Sequence, residues 1–103
     1  MILIVDDIDA NLIALQKTLA IQGLNVDTAN SGEEALKKIL KFNYSLIILD
    51  VQMPGMDGFE VAEILGQSNR TKDIPVLFLS AINKEKKYIS RGYASGAVDY
   101  ITK

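Results

Sequence analysis

A continuous apolar run that ends in a carboxylate is the feature that most constrains this chain. Residues 46–49 read Leu-Ile-Ile-Leu, Asp50 follows directly, and a Pro54-Gly55 turn comes soon after. A short unbroken apolar run bounded by turn residues is typical of a strand buried on both faces of a parallel sheet. We therefore expect Asp50 at the carboxyl end of a central strand, the edge at which open α/β sheets bind ligands.

Four further segments read as strands. The apolar runs at residues 2–5 and 75–79 resemble the first and predict two more central strands. The segments 24–29 and 97–101 alternate apolar and polar residues, which is typical of edge strands with one wet face. Parallel strands joined by right-handed crossovers then take the order 2-1-3-4-5. This is a flavodoxin-like, doubly wound α/β sheet formed by a single domain, residues 1–103.

Helical periodicity lies between the predicted strands. Asp9, Ser31 and Asp57 are predicted helix N-caps, and Asn83 is the predicted cap of a charged helix from residue 84 to about 95. Gly23 is the expected stop of the first helix. The apolar faces of the first three helices consist of Ile8, Leu12, Leu15 and Leu19, then Ala35, Leu36, Ile39 and Leu40, then Phe59, Val61, Ile64 and Leu65.

Composition narrows the chemistry that the chain can perform. The 103 residues include no cysteine and no histidine, and the net charge is -2. Disulfides, thiolate metal sites and imidazole bases are therefore excluded, and nucleic acid or an anionic membrane is not an expected direct partner. No apolar run approaches the roughly 20 residues of a transmembrane helix. The absence of cysteine is compatible with a reducing cytoplasm, which is the expected location. Carboxylates, lysine and hydroxyls remain, a set that favours a hard cation such as Mg²⁺.

Five polar residues are predicted to meet at the carboxyl edge of the sheet. Asp6 and Asp7 follow the first strand, Asp50 the third, Ser80 the fourth and Lys103 the fifth. Three converging carboxylates repel one another, and Mg²⁺ would relieve that repulsion while leaving room for phosphate oxygens. Ser80 and Lys103 could contact the same anion, and Asp50 could act as a nucleophile that forms an aspartyl-phosphate.

The whole chain resembles the receiver domain of two-component response regulators. The resemblance rests on Asp6-Asp7, on Asp50-Val-Gln-Met-Pro-Gly-Met-Asp-Gly, on Ser80-Ala81 and on Tyr100-Ile-Thr-Lys. It implies a phosphoacceptor switch without enzymatic activity beyond its own phosphorylation and dephosphorylation. It also implies a histidine kinase or a histidine phosphotransfer protein as the phosphodonor, and a downstream effector or fused output domain as the receiver of the signal. Dimerisation is possible.

The resemblance also assigns roles to single residues. Asp7 and Asp50 would ligate Mg²⁺ together with the backbone carbonyl of Gln52, and Asp6 would contribute mostly through water. Ser80 and Lys103 would contact the phosphoryl oxygens, while Tyr100 would change rotamer as Ser80 moves. Receiver domains normally continue past this lysine into a fifth helix, so we expect a fragment of a longer chain or a partner that covers one sheet face.

Three other classes of protein fit parts of the pattern. A haloacid-dehalogenase-type enzyme also uses an aspartyl nucleophile and Mg²⁺, but it needs a second Asp where this chain has Gln52. A flavin-binding module would carry a hydroxyl- and glycine-rich phosphate loop after the first strand, where this chain has Asp-Asp-Ile-Asp. A receiver-like docking module would show the same fold without becoming phosphorylated.

Overall fold

The computed structural model describes residues 1–80 and 99–102, with side chains as far as residue 79. Eight elements alternate along the chain. They are β1 (Ile2–Val5), α1 (Asp9–Ile21), β2 (Val26–Ala29), α2 (Gly32–Lys41), β3 (Leu46–Asp50), α3 (Gly58–Gln67), β4 (Val76–Ser80) and β5 (Asp99–Thr102). The helix predicted for residues 84–95, with its cap at Asn83, lies outside the described residues.

The five strands form one parallel sheet in the order β2-β1-β3-β4-β5. This confirms the strand order predicted from the apolar and alternating segments. In the register, Val5 of β1 pairs with Leu49 of β3, and Asp50 pairs with Leu79 of β4. The ends of β1 and β3 therefore lie side by side at the carboxyl edge.

The main core lies between the sheet and the helices α2 and α3. Side chains of β1 and β3 that point to this face are inaccessible to solvent, as Leu3, Val5 and Leu49 show. The rings of Phe59 in α3 and Phe78 in β4 meet at 4.9 Å between centroids with an interplanar angle of 63°, the edge-to-face geometry that aromatic pairs favour. This core anchors α3 directly beneath the loop that follows Asp50.

The opposite face of the sheet carries α1 and a smaller core. Ile4, Leu12 and Ile48 are its buried members. Partly buried apolar side chains surround them: Ile2, Leu15, Leu19, Val26, Leu46, Leu77 and Leu79. Among the described residues, the two faces of the sheet are thus unequally covered.

The helix ends follow the local sequence with one exception. Ser31 Oγ accepts the Glu34 N–H at 3.0 Å, and Asp57 Oδ1 accepts the Glu60 N–H at 2.9 Å, which confirms both N-caps. The predicted cap at Asp9 is wrong, because the N-cap position is Ile8 and Asp9 is the first helical residue. Asp9 still places a negative charge in the first turn, where the helix dipole favours it.

Gly23 ends α1 as predicted. Its φ of +79° is the left-handed conformation that glycine adopts readily. The Gly23 N–H donates to the Ala20 carbonyl at 2.9 Å and the Leu24 N–H donates to the Leu19 carbonyl at 3.2 Å. This pair of bonds is a Schellman motif, which satisfies carbonyls that the helix end would otherwise leave open.

Three residues of the predicted apolar faces are largely exposed. Ile8 lies at the helix start, and Leu40 and Ile64 have exposed fractions of 71% and 41%. The expectation that they pack into the core is therefore wrong. In each helix, the part of the apolar face that is buried against the sheet is narrower than the whole apolar face.

Candidate acidic site at the carboxyl edge

Asp6, Asp7 and Asp50 come together at the carboxyl edge of the sheet. Each offers a carboxylate oxygen, and the three oxygens lie within 4.8 Å of one another. Asp6 and Asp50 are buried, with exposed fractions of 1% and 2%, whereas Asp7 is exposed. The structure thus places three of the predicted site residues in one cluster that opens to solvent at Asp7.

The Asp6 carboxylate is oriented by two donors from the start of α1. The Ile8 N–H donates to Oδ1 at 3.0 Å, and the Asn11 side-chain amide donates to Oδ2 at 3.1 Å. The first bond closes a short Asx-type turn, which explains why the helix begins at Asp9. Asn11 was not among the predicted site residues. Asn11 lies in the first turn of the helix and five residues after Asp6, and this spacing is the signal in the sequence that could have identified it.

Glycine at position 58 allows α3 to begin against the backbone of Asp50. A Cβ at Gly58 would lie 2.2 Å from the Asp50 carbonyl oxygen, closer than any side chain permits. The Gly58 N–H also donates to the Val51 carbonyl at 3.2 Å. The loop after Asp50 is therefore closed onto the first turn of α3, which fixes the backbone of the candidate nucleophile.

The loop between β3 and α3 is anchored by methionines. Met53 is buried in the main core, and Met56 packs against that core. Both side chains therefore pack the loop against the core. Gln52, whose carbonyl is the expected third metal ligand, carries an exposed side chain between these anchors.

The backbones of Ser80 and Tyr100 lie in the neighbouring strands β4 and β5. Ser80 is the last residue of β4, one position beyond the partner of Asp50, so its backbone lies at the same edge. Tyr100 pairs with Phe78 in the register of β4 and β5. The side chains of Ser80 and Tyr100, and all of Lys103, lie outside the described residues.

The donor set fits Mg²⁺. Hard carboxylate oxygens are the ligands that this ion prefers, and ligands on opposite sides of an octahedral ion are about 4.2 Å apart. The three carboxylate oxygens lie within 4.8 Å of one another, which is close to that distance. A small side-chain adjustment, or one contact through water, brings these oxygens within ligating distance of a single ion. Bringing two buried carboxylates together costs free energy that a cation at this position recovers.

Three aspartates at the switch point of a doubly wound parallel sheet define an α/β protein with a candidate cation site where such sheets bind ligands. The family model described as the response regulator receiver domain matches residues 2–103. The chain belongs to this family.

Individual relatives agree with that assignment. The transcriptional regulatory protein AfsQ1 of Streptomyces coelicolor is 41% identical over 102 residues, which cover 99% of this chain and 44% of AfsQ1. The chemotaxis protein CheY4 of Vibrio cholerae is 34% identical, with a TM-score of 0.93 over 99% of this chain and 84% of that chain. The response regulator TrrA of Thermotoga maritima, solved in complex with Mg²⁺ and BeF, is 38% identical, with a TM-score of 0.85 over 99% of this chain and 84% of TrrA.

This chain therefore spans less than half of AfsQ1. Within the part of the chain that the structure describes, every helix is too short or too polar to cross a membrane.

Proposed function

We propose that this chain is a phosphoacceptor switch in a two-component phosphorelay, with residues 1–103 acting as one receiver domain. The observation that supports the proposal most strongly is the cluster of Asp6, Asp7 and Asp50, whose carboxylate oxygens lie within 4.8 Å. In the proposal, the phosphodonor is a histidine kinase or a histidine phosphotransfer protein. The domain acts in the cytoplasm and passes the signal to an effector or a fused output domain.

In this proposal Asp7, Asp50 and the backbone carbonyl of Gln52 hold Mg²⁺, and Asp6 contributes mostly through water. The hydrogen bonds to both Asp6 oxygens support an orienting role for that residue. The bound ion would neutralise charge between the carboxylates and the incoming phosphoryl group.

Asp50 performs the proposed covalent step. One of its carboxylate oxygens attacks the phosphorus of a phosphohistidine, a phosphorus–oxygen bond forms and the phosphorus–nitrogen bond breaks. The imidazole leaves and takes up a proton. In the return step, water attacks the phosphorus, inorganic phosphate is released and Asp50 regains its carboxylate. The chain itself thus acts as the substrate of this chemistry and turns over no other molecule.

The phosphoryl group would favour one of two conformations. Ser80 and Lys103 are proposed to contact its oxygens, and Tyr100 is proposed to turn inward as Ser80 moves. Phosphorylation would then shift the conformational population of the surface formed by the helix predicted for residues 84–95 and by β5, which the effector reads. Dimerisation is a further part of the proposal.

The direct test is intact-mass analysis after incubation with Mg²⁺ and acetyl phosphate. We expect one phosphoryl adduct on the wild-type chain and none on Asp50→Asn. Asp7→Asn should require much more Mg²⁺ for the same yield, because it removes one proposed metal ligand. Asp73→Asn, which changes an exposed aspartate elsewhere, should behave as wild type.

Two results would contradict the proposal. An adduct that persists on Asp50→Asn would place the acceptor elsewhere. A folded wild-type chain that forms no adduct with acetyl phosphate or with a phosphorylated histidine kinase would indicate the docking-module alternative.

A further inference from the structure

An apolar groove lies between α2 and α3, away from the acidic site. Its volume is about 240 Å³. Both helices run from the carboxyl edge of the sheet toward the opposite edge. Because the groove lies at their last turns, it is near the edge at which the strands begin. The lining residues are Leu36, Ile39, Leu40, Ile64, Leu65, Ser68, Arg70 and Thr71.

The rim of the groove exposes large aliphatic side chains. Leu40 is 71% exposed on the α2 side and Ile64 is 41% exposed on the α3 side. Covering these side chains would remove apolar surface from water, which is favourable in proportion to the area buried.

Arg70 is the one charged residue among those that line the groove, and its side chain is exposed. Arg70 Nη1 donates to the Leu40 carbonyl at 2.8 Å, which uses one of the five guanidinium N–H groups. The guanidinium is therefore held at the groove with donors to spare.

We propose that this groove binds an amphipathic helix of a partner protein, with aliphatic residues on one face and Asp or Glu residues beside them. The aliphatic anchors would enter between Leu40 and Ile64, and the carboxylates would face Arg70. Charge complementarity selects an acidic partner, because like charges across an interface cost free energy. Helix-in-groove recognition of this kind uses anchors spaced three and four residues apart.

The shape of the site favours a peptide helix over other ligands. Small-molecule sites usually enclose roughly 300–1,000 Å³, and this groove is smaller. A membrane surface is bound by a continuous amphipathic helix face that inserts into the lipid. Here the apolar residues line a depression between two helices.

This surface is independent of the proposed phosphorylation. The groove is lined by the second halves of α2 and α3, whereas Asp50 lies beside the first turn of α3. An occupant would leave the acidic site open to a phosphodonor. Binding should therefore persist in Asp50→Asn, so a failure of the phosphoacceptor assignment and a failure of the docking surface give different results.

The test is a ¹⁵N–¹H NMR titration of the full 103-residue chain with a designed helical peptide about four turns long. The peptide carries leucines at the helical spacing and glutamates beside them. We expect saturable shifts of the amides of Leu36, Leu40, Ile64, Arg70 and Thr71. The same peptide with lysine in place of glutamate should bind about tenfold more weakly.

Matched variants locate the surface. Leu40→Ser should weaken binding of the glutamate peptide by about tenfold, because it removes a central anchor. Ile21→Ser changes a side chain that is 82% exposed in α1 and should bind as wild type. Arg70→Glu should invert the preference between the glutamate and lysine peptides. Circular dichroism melting of each variant would establish that it is folded.

Several results would overturn the proposal. No saturable shift with the glutamate peptide at millimolar concentration, or equal affinity for both peptides, would remove the basis for an acidic helix. Concentration-dependent dimerisation that Leu40→Ser abolishes would assign the groove to a second copy of the chain. Binding to vesicles of equal parts phosphatidylserine and phosphatidylcholine, lost in Leu40→Ser, would assign it to lipid.

Discussion

Asp6 serves both the start of a helix and the acidic site. Its Oδ1 accepts the Ile8 N–H, and its Oδ2 accepts the Asn11 side-chain amide. The carboxylate is thus held by α1 while it contributes to the cluster with Asp7 and Asp50. Groups that orient a metal ligand commonly affect metal affinity although they never touch the ion.

Asn11→Ala should therefore weaken Mg²⁺ binding by up to about tenfold. Isothermal titration calorimetry of Mg²⁺ binding measures the effect. Stability should change little, because alanine favours a helix more than asparagine does. Gln16→Ala, an exposed polar position on the same helix, is the matched control. Unchanged Mg²⁺ affinity in Asn11→Ala would reduce Asn11 to a structural role.

A second polar cluster connects β2 with α2 and the loop after it. The Tyr44 hydroxyl donates to Asp27 Oδ2 at 2.7 Å, and Lys38 Nζ donates to Asp27 Oδ1 at 3.0 Å. Burial on its own would raise the pKa of Asp27, but the hydrogen bonds from Tyr44, Lys38 and the Thr28 N–H together lower it below the ordinary value of 3.8. Burial and the bond to Asp27 raise the pKa of Tyr44 above its ordinary value of 10.0.

These shifts give a pH dependence of stability with a definite sign. Because the folded-state pKa of Asp27 is lowered, the ionised carboxylate contributes fully to the free energy of unfolding above pH 3.8. This contribution to stability is lost as the pH falls through the folded-state pKa. Asp27→Asn should therefore cost about 1–2 kcal/mol at neutral pH and show a smaller loss of stability on acidification. Urea denaturation at a series of pH values from neutral to acidic measures the cost in stability at neutral pH and the loss of stability on acidification. Parallel pH profiles for the variant and the wild type would contradict this account.

At the scale of elements, α3 links packing to the site. Its N-cap is the Asp57 side chain, and its first helical residue, Gly58, lies against the Asp50 backbone. The start of α2 has an equivalent cap at Ser31, and the nearest neighbours of Gly32 beside it are Met56 and Val61. Removing each cap in turn therefore distinguishes a loss of helix stability from a disturbance of the acidic site.

Asp57→Ala and Ser31→Ala should each lower the free energy of unfolding by about 1 kcal/mol. Only Asp57→Ala should also slow phosphorylation of Asp50, by severalfold, because the start of α3 positions the loop after β3. Urea denaturation and the rate of adduct formation with acetyl phosphate test the two effects. Equal rates in both variants would show that α3 does not position Asp50.

The helices also show where reasoning from sequence succeeds and fails. Ser31 and Asp57 were predictable because the cap bonds to a residue three positions away. Asp9 was assigned wrongly because Asp6 closes a turn that moves the N-cap to Ile8, and this depends on the folded edge of the sheet. The exposure of Leu40 and Ile64 was missed, since an apolar stripe shows which face is apolar and not how much of it is covered.

For the whole molecule, the order of the strands was predictable and the details of the site were only partly so. The order follows from which strands are continuously apolar and from the hand of the crossovers, and the structure confirms it. Convergence of Asp6, Asp7 and Asp50 follows from that order. The close approach of Gly58 to Asp50 depends on how α3 meets the loop, a tertiary contact that no local pattern contains.

The acidic cluster should couple Mg²⁺ binding to the stability of the whole domain. Mg²⁺ at about 100 times its Kd should raise the free energy of unfolding by about 2.7 kcal/mol, which corresponds to a Tm increase of about 10 °C or more. Thermal melting at constant ionic strength measures it. Asp7→Asn should lose most of the increase and Asp9→Asn should retain it. An increase that NaCl reproduces at equal ionic strength would indicate screening alone.

The central claim is that Asp50 accepts a phosphoryl group, and the most direct measurement locates the modified residue. The chain would be incubated with Mg²⁺ and acetyl phosphate and reduced with borohydride, which converts an aspartyl-phosphate to homoserine. Peptide mapping by mass spectrometry would then identify the position. We expect homoserine at position 50 only, and only when Mg²⁺ is present. Homoserine at Asp6, Asp7 or another carboxylate, or unmodified Asp50 in a folded chain, would contradict the account.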